Sequence, residues 1–340
     1  MSKITIGLIG TGDILDCHLC ALRANPDYKL IGICRRSPEK LKAQAMELGV
    51  KGYTDYHDLL ACRPDVVLIS LPHNLHYQAA LDAIDVGCHI MMEKPIACSM
   101  NKVNGMITAA EEARKVIMVT ESSYWLPSYR TARKIVQSGL LGKLLFGSFT
   151  NYRFYFNDDR PNWFLQSETS GGGQFINLGV HRTAAVRCII GDDYYEEVAV
   201  MASVHRNHPQ YDIESATKAM VIYAEGQAVT YEECGYYHPP AELPQGLHFV
   251  FEKGILGIKN DCVWTSDKDG NVTHYELLGE HTGGAYGVIY GQMLKAMDGR
   301  AHYPTVRHAA KDVRIALAAY ASAEKKKTIN LRDSEWTIPQ

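Results

Sequence analysis

Apolar and polar positions alternate in blocks along the first third of the chain. Five short runs are rich in β-branched and other apolar residues, and they occupy residues 3–9, 28–34, 64–72, 88–93 and 116–121. The segments between these runs place apolar residues three or four positions apart, as in Leu15, Leu19 and Leu22. Strands that alternate with helices in this way predict an α/β fold with a doubly wound parallel sheet, a Rossmann-type domain.

After residue 143 the pattern changes to β-rich runs that are separated by turn residues. The runs are KLLFGSFTNYRFYF, EEVAVMASV, ATKAMVIYA, AVTYEECGYY and GLHFVFE. They predict a second sheet. The closing run over 306–326 has apolar positions at helical spacing, and we expect this helix to pack rather than to do chemistry.

The totals agree with two domains and exclude several classes of protein. A chain of 340 residues exceeds one typical core. A formal net charge of −3 gives no support for nucleic acid or an anionic membrane as a partner. No secretory signal and no apolar stretch of membrane-spanning length is visible. The nine dispersed cysteines fit reduced thiols, so we expect a cytoplasmic protein.

Two Cys and His clusters could suggest a metal site. Cys17 and Cys20 stand three apart in CHLC, but no second pair at a matching spacing completes a zinc site. We interpret them as a pair of core thiols, and HRNH at 205–208 as a polar loop. No metal ion is therefore expected.

The first strand ends at a glycine-rich turn, Gly10-Thr11-Gly12, that opens a helix. In a doubly wound sheet this turn is the phosphate site, because glycines let the backbone approach a pyrophosphate at the positive end of the helix. Leu15 occupies the place of the third glycine or alanine of the fingerprint, which should push the helix slightly off the strand. The pattern predicts a bound dinucleotide.

The end of the second strand indicates which dinucleotide is bound. NAD-specific proteins usually place an Asp or Glu there, whereas this chain has Arg35, Arg36 and Ser37 after Cys34. Two guanidinium groups and a hydroxyl suit a 2′-phosphate, which favours NADP, with NAD as the alternative. In that alternative, one arginine stacks on adenine and the other faces water. Ser37 can also cap the helix that begins at Pro38.

Two stretches carry candidate chemistry. Lys94 follows a strand at the carboxyl edge of the parallel sheet, where such sheets bind ligands. Beside an oxidised nicotinamide its pKa should fall, so that it can accept the proton of a hydroxyl group. The alternative interpretation of Lys94 is a surface lysine.

In GGGQFINLGVHR (171–182), Asn177 and His181 stand four apart, which places both on one face of a helix. They form either a catalytic face or a helix start that happens to be polar.

The run SLPHNLHYQAALDAIDVGCHIMMEKPIA (70–97) resembles the pattern Pro-x-x-x-His followed by Glu-Lys-Pro of the glucose–fructose oxidoreductase/inositol dehydrogenase/MocA family. The resemblance covers nearly the whole chain. It includes GTG at 10–12, SGGG at 170–173, LGVH at 178–181 and AAYASAEKKKTINL at 318–331. It implies a Rossmann domain at 1–122, followed by a second α/β domain at 123–340 with a large, open, mostly antiparallel sheet. If one apolar face of that sheet stays uncovered, we expect a homodimer or homotetramer.

The resemblance also implies a catalytic set, from which this chain departs. Dehydrogenases of the family carry the Lys of Glu-Lys-Pro, an Asp and a His four residues later, and the matching residues here are Lys94, Asn177 and His181. Asparagine can hydrogen-bond a hydroxyl but cannot take its proton. Loss of the anion should lower the pKa values of Lys94 and His181. The Asp usual three residues after the histidine is Ala184, and Tyr124 replaces a common arginine.

We therefore predict three overlapping sets of residues. The catalytic residues are Lys94, His181 and Asn177. The cofactor contacts are Gly10, Thr11, Gly12, Asp13, Ile14, Arg35, Arg36, Ser37, Leu71, Pro72, His73, Asn74, His76, Glu93, Lys94 and Trp163. The substrate contacts are Lys94, Tyr124, Trp125, Tyr155, Trp163, Asn177 and His181, in which the aromatic rings are either walls for a sugar ring or core residues. Arg153 and Arg160 could orient an acidic group, although solvated surface residues are the simpler interpretation.

Three functions are compatible with these residues. The first is an NADP- or NAD-dependent oxidoreductase that acts on a secondary alcohol or ketone of a sugar, glycoside or cyclitol. The second is an enzyme that retains its cofactor and uses transient oxidation to cleave glycosidic bonds, which the loss of the aspartate favours. The third is a non-catalytic dinucleotide-binding regulator, against which the presence of Lys94 and His181 speaks.

Overall fold

A computed structural model describes residues 3–157, 159–191 and 195–339. In this part of the chain, the strands are β1 (Ile4–Ile9), β2 (Tyr28–Cys34), β3 (Lys51–Tyr53), β4 (Val66–Ile69), β5 (His89–Met92), β6 (Ile117–Val119), β7 (Leu144–Tyr152), β8 (Glu197–His205), β9 (Ala216–Tyr223), β10 (Ala228–Cys234), β11 (Gly246–Phe251), β12 (Gly254–Lys259), β13 (Cys262–Ser266), β14 (Val272–Tyr275) and β15 (Ile329–Asn330). The α-helices are α1 (Leu15–Ala24), α2 (Pro38–Leu48), α3 (Tyr56–Leu60), α4 (His76–Asp85), α5 (Met100–Glu112), α6 (Pro127–Gln137), α7 (Ser167–Ser170), α8 (Val180–Ile190), α9 (Gly284–Met297) and α10 (Val306–Lys325). A π-helical turn, Phe175–Gly179, leads directly into α8.

The chain divides into two compact units that are not contiguous in sequence. Unit 1 holds residues 1–122, 281–310 and 339–340, and unit 2 holds 123–280 and 311–338. One of the divisions falls between residues 122 and 123. The predicted second domain, 123–340, differs from unit 2 because α9 packs on α1 of unit 1.

Unit 1 contains the predicted parallel sheet, in the order β3-β2-β1-β4-β5-β6. Every strand pair in it is parallel. The central strand residues are fully buried, which is why these strands appear in the sequence as unbroken apolar runs. The order reverses between β1 and β4, and in such sheets the ligand lies outside the carboxyl ends at that point. The α/β prediction is thereby confirmed.

Unit 2 contains a nine-stranded sheet in the order β14-β13-β12-β11-β7-β10-β9-β8-β15. Its pairs are antiparallel except β7 with β10. Alternate residues such as Phe149 and Tyr231 are buried, while Phe146 and Met201 are each 53% exposed. The mostly antiparallel sheet agrees with the expectation, and one of its faces carries exposed apolar side chains.

One prediction about packing is wrong. Cys17 and Cys20 are not core thiols, because both are exposed on α1. The buried face of α1 consists of Leu15, His18 and Ala21, so the two cysteines lie on the other side of the helix. All nine cysteines are free thiols. Among the described residues, no helix is long and apolar enough to cross a membrane.

Candidate active site

The turn after β1 is shaped for a close approach of backbone to ligand. Gly10 has a φ of 89°, and a Cβ there would lie 2.0 Å from the carbonyl oxygen of Ser70 at the end of β4. A Cβ on Gly12 would meet nothing within 4 Å. Glycine is therefore required at Gly10 by the packing of the turn, whereas Gly12 leaves open space beside the backbone, as a phosphate cradle needs.

The side chain of Arg35 is hydrogen-bonded to this turn. Its Nη1 donates to the backbone oxygen of Thr11 at 2.9 Å and to Oε1 of Gln44 at 3.1 Å, and the Thr11 hydroxyl donates to the same Oε1 at 2.8 Å. Arg36 is exposed, and Ser37 sits at the N-cap of α2 without a side-chain capping bond. The hydroxyl of Ser37 and the guanidinium of Arg36 thus remain at the cofactor end of β2. The role of Gln44 had no signal in the sequence.

A buried polar atom in the turn after β4 fits a bound dinucleotide. In the helical turn His73–Leu75, which follows β4, Oδ1 of Asn74 is buried and has no hydrogen-bond partner among the described residues. Buried polar atoms in native proteins nearly always have a partner. The open space at Gly12 can admit a phosphate group, and the Asn74 oxygen can accept a hydrogen bond from a polar group of the same dinucleotide.

Glu93, the residue before Lys94, is held in a buried network of unit 1. Its Oε1 lies 3.1 Å from Nε2 of His18 and accepts the hydroxyl of Thr120 at 2.6 Å. Nδ1 of His18 lies 3.1 Å from the hydroxyl of Tyr290 on α9. Burial alone would raise the pKa of Glu93, but the bond and charge of His18 and the charge of Lys94 outweigh it and lower that pKa to about 2. An ionised carboxylate therefore anchors the backbone that carries Lys94.

His76 joins two strand ends rather than presenting a surface to a cofactor. It is completely buried, with Nδ1 2.9 Å from the carbonyl oxygen of Pro95 and Nε2 2.9 Å from that of Leu71. Burial lowers its pKa, against the effect of these two carbonyl groups. Both ring nitrogens of His76 thus contact backbone carbonyl groups, and the side chain links the segment after β4 to the segment after β5.

The glycines of GGGQFINLGVHR make room for two buried side chains of unit 2. A Cβ on Gly172, whose φ is 152°, would lie 2.5 Å from the hydroxyl of Tyr320. A Cβ on Gly173 would lie 2.4 Å from the backbone oxygen of Glu214 and 3.0 Å from its Oε2. Gly172 and Gly173 are therefore required by the packing of these two side chains.

Glu214 and Tyr320 together cap the start of the helix that carries Asn177 and His181. The Glu214 carboxylate accepts the N–H of Gly173 and, at 2.8 Å, that of Phe175, and it accepts the Tyr320 hydroxyl at 2.6 Å. The Tyr320 oxygen in turn accepts the N–H of Ile176 at 3.0 Å. Burial raises the pKa of Glu214, and these three donors oppose it. This buried clamp satisfies helix N–H groups that would otherwise be orphans.

Asn177 lies in the π-helical turn and is bonded to Tyr155. Its Nδ2 donates to the Tyr155 hydroxyl at 2.9 Å, and both side chains are buried. The guanidinium of Arg160 lies 3.9 Å from the centre of the Tyr155 ring, and its Nε donates to the Tyr155 backbone oxygen at 2.8 Å. Burial raises the pKa of Tyr155 to about 12. Single π-helical turns often occur at functional sites, and this one places an uncharged amide in a cluster whose hydroxyl stays protonated.

The other predicted substrate residues divide between core and surface. Tyr124 is 1% exposed and donates its hydroxyl to Asp312 at 2.9 Å, so it is a core residue rather than a wall for a ligand. Trp163 is half-buried and stacks on Phe164, with ring centroids 3.6 Å apart. Arg160 is not a solvated surface residue, as described above, whereas Arg153 is exposed. Lys94 belongs to unit 1, and Asn177 and His181 belong to unit 2.

Both halves of the chain match sequence models of one protein family. Residues 4–121 match the oxidoreductase family with an NAD-binding Rossmann fold, designated GFO_IDH_MocA. Residues 129–257 match the GFO/IDH/MocA C-terminal domain.

Characterised relatives act on carbohydrates according to their names. D-glucoside 3-dehydrogenase of Escherichia coli strain K12 is 29% identical over 195 residues, which span 56% of this chain and 55% of that protein. The 1,5-anhydro-D-fructose reductase of Ensifer adhaerens is 29% identical over 201 residues, or 58% of this chain and 60% of that protein. The match thus covers somewhat more than half of the length of these relatives.

Solved structures share the fold over nearly the whole chain. Levoglucosan dehydrogenase in complex with NADH and levoglucosan superposes with a TM-score of 0.85 at 20% identity, covering 97% of this chain and 100% of that one. Aldose-aldose oxidoreductase from Caulobacter crescentus, complexed with glycerol, gives 0.84 at 20% identity over the same fractions. At this identity the likeness establishes the fold alone.

Proposed function

Because the chain belongs to the GFO/IDH/MocA oxidoreductase family, we propose that it transfers a hydride between a nicotinamide cofactor and a secondary alcohol or ketone of a sugar, glycoside or cyclitol. The observation that carries this proposal is the buried anchor of Glu93. It fixes the backbone of Lys94 at the carboxyl edge of the dinucleotide sheet, where such sheets hold their ligands. The names of the relatives support the carbohydrate class.

The chain's own residues supply binding, orientation and proton transfer. When bound, the nicotinamide accepts or returns the hydride. Lys94 exchanges the proton of the reacting hydroxyl group, His181 assists it, and the Asn177 amide holds that hydroxyl. Asn177 is an amide that donates to the Tyr155 hydroxyl, and this hydroxyl stays protonated. Protons are therefore not relayed through an aspartate at this position.

The preferred cofactor is NADP, with NAD as the alternative. Arg36 is exposed and Ser37 has no side-chain capping bond, so both are available for a 2′-phosphate. Arg35 is already hydrogen-bonded to Thr11 and Gln44, and its role is therefore to stabilise the phosphate-binding turn. Recognition of the 2′-phosphate therefore depends mainly on Arg36, and not equally on Arg35 and Arg36 as the sequence suggests.

The protein forms a homo-oligomer through the exposed apolar face of its nine-stranded sheet. Phe146 and Met201 lie on this face and are each 53% exposed. Contiguous exposed apolar surface of this kind marks interaction sites, and an identical sheet face is self-complementary about a twofold axis. The cytoplasm, with reduced cysteines, is the proposed location.

The direct test follows absorbance at the reduced-nicotinamide band while purified protein meets a panel of pyranoses, glycosides and cyclitols with NADP or NAD. Lys94→Ala should abolish turnover while the protein still binds cofactor, and Lys42→Ala, which removes an exposed lysine of α2, should change neither. Full turnover by Lys94→Ala would refute the assigned role. Bond cleavage in a glycoside without accumulating reduced cofactor would instead establish internal-redox cleavage. Inertness to the whole panel, together with a captured protein partner, would indicate a regulator.

A further inference from the structure

We propose that a cleft within unit 2 binds a second, non-reacting sugar ring, so that the preferred substrates are uncharged glycosides of two or more rings. This inference rests on the proposed function and specifies its substrate class. The cleft has a volume of about 550 Å³, which is within the ordinary range of small-molecule sites. It lies among β7, β11, β12, the start of α6 and the loop 239–245.

The cleft has a wall that is organised by a buried carboxylate. Asn151 and Arg182 both line it, and both contact Glu233, which is 2% exposed. Oε2 of Glu233 accepts Nδ2 of Asn151 at 2.6 Å and Nε2 of Gln174 at 2.6 Å, and its Oε1 lies 3.5 Å from Nε of Arg182. Burying a carboxylate is costly and gives little net stability. Its effect here is to hold an amide and a guanidinium in fixed orientation before a ligand arrives.

Arg182 retains hydrogen-bonding capacity for a ligand. Its guanidinium lies 5.2 Å from the centre of the Phe149 ring, and within the described residues its only polar partner is Glu233 through Nε. The two terminal nitrogens therefore keep their four N–H donors. A planar fork of donors beside a carboxamide matches adjacent hydroxyl groups of a sugar ring, which both donate and accept.

The charges around the cleft favour an uncharged ligand. Arg182 contacts Glu233, and the cleft is also lined by Lys259 and by Asp261, whose Oδ1 accepts the hydroxyl of Ser128 at 3.0 Å. Burial raises the pKa of Glu233, which lies behind the wall, and the opposite charges of Lys259 and Asp261 offset each other at the cleft surface. A neutral polyol needs no net charge in such a site.

The cleft lies next to the predicted catalytic face of the same unit. Arg182 directly follows His181, and Asn151 precedes Tyr155, the partner of Asn177, by four residues, which span at most about 14 Å of extended chain. The loop that forms the rim is tied at both ends to this segment. Tyr155 donates its N–H to the Gly235 oxygen at 2.8 Å, and Tyr152 donates its own to Oε1 of Gln245 at 2.9 Å. In the proposed complex, the ring held at Asn177 and the ring in the cleft belong to one ligand.

The test compares one-ring and two-ring ligands on the enzyme loaded with oxidised cofactor. Binding is measured by calorimetry with methyl glucoside, maltose, cellobiose, trehalose and a glucuronide-ended disaccharide. Ala241→Trp fills the cleft from its exposed loop, so the fold should survive. Ala224→Trp, in an exposed turn of the same unit, is the matched control. We expect at least one neutral disaccharide to bind at least tenfold more weakly to Ala241→Trp, with methyl glucoside changed less than twofold in either variant.

Three results would overturn the cleft assignment: no disaccharide binds more tightly than methyl glucoside to the unaltered protein, Ala241→Trp weakens both sizes equally, or only the glucuronide depends on the cleft. Turnover is read separately. Cleft-dependent binding with no turnover of any ligand supports the cleft and refutes the dehydrogenase. Turnover of methyl glucoside with no cleft dependence supports the dehydrogenase and refutes the cleft.

Discussion

Tyr320→Phe should destabilise unit 2 and misplace the helix that carries Asn177 and His181. The substitution removes one hydroxyl and almost no volume, yet this hydroxyl makes two buried hydrogen bonds. It donates to Glu214 at 2.6 Å and accepts the N–H of Ile176 at 3.0 Å. Phenylalanine can replace neither bond, and water has no access to the site because all three groups are buried.

The magnitude follows from these two bonds. Loss of a hydrogen bond to a charged group costs about 1.5–3 kcal/mol, and a buried N–H left without a partner costs a further ~1–3 kcal/mol. We therefore expect the free energy of unfolding to fall by roughly 4 kcal/mol, which for a unit of this size lowers the unfolding midpoint by about 10 °C. Thermal unfolding followed by circular dichroism measures it. Turnover should also fall, since small misplacements of catalytic groups are costly, by about 10²-fold for 1 Å.

Tyr237→Phe is the control, because the Tyr237 side chain is 67% exposed and its hydroxyl needs no protein partner to remain hydrated. It should leave the midpoint and turnover unchanged. If Tyr320→Phe unfolds within about 1 °C of the unaltered protein and keeps full activity, the clamp does not position the helix and the explanation for Gly172 and Gly173 fails.

Further predictions concern the cofactor, pH and assembly. Arg36→Ala should weaken NADP binding at least tenfold and leave NAD binding unchanged, because it removes a charge-assisted bond worth about 1.5–3 kcal/mol; equal loss for both cofactors in calorimetry would contradict it. Glu93→Gln should be less stable than the unaltered protein at neutral pH. Since the folded pKa of Glu93 is lowered from 4.5 to about 2, that difference should persist above pH 4.5 and shrink as pH falls toward 2, as read by denaturant midpoints. Phe146→Asp should shift the protein to a monomer in sedimentation, and an unchanged mass would exclude this face as the interface.

The sequence predicted the elements whose signal is local. Apolar runs such as 28–34 gave the parallel strands, because a strand buried on both faces must be apolar at every position. The strand Lys51–Tyr53 has no apolar run that would predict it, since only Tyr53 in it is buried. The alternating strands of unit 2 were found as far as β11, but β12 to β14 were not, as two glycines and several polar residues interrupt their pattern.

The candidate site was predicted in its residues but not in its support. Glycine and lysine motifs identify positions by spacing, whereas supporting contacts join residues that are far apart in the chain. Glu93 pairs with His18 75 positions away, and Gly173 with Glu214 41 positions away. Nothing local in the sequence marks His18 or Glu214 as partners. The exposed position of Cys17 follows from the same network, because the burial of His18 sets the rotation of α1.

We propose that a hydride passes directly between the carbon of a carbohydrate alcohol and the cofactor, with Lys94 taking the hydroxyl proton. This transfer can be followed with a substrate identified in the panel and deuterated at the carbon that is oxidised, with mass analysis of the nicotinamide after turnover. We expect one deuterium per reduced cofactor, and no labelled cofactor from Lys94→Ala despite retained cofactor binding. Reduced cofactor without deuterium, or full labelling by Lys94→Ala, would contradict it.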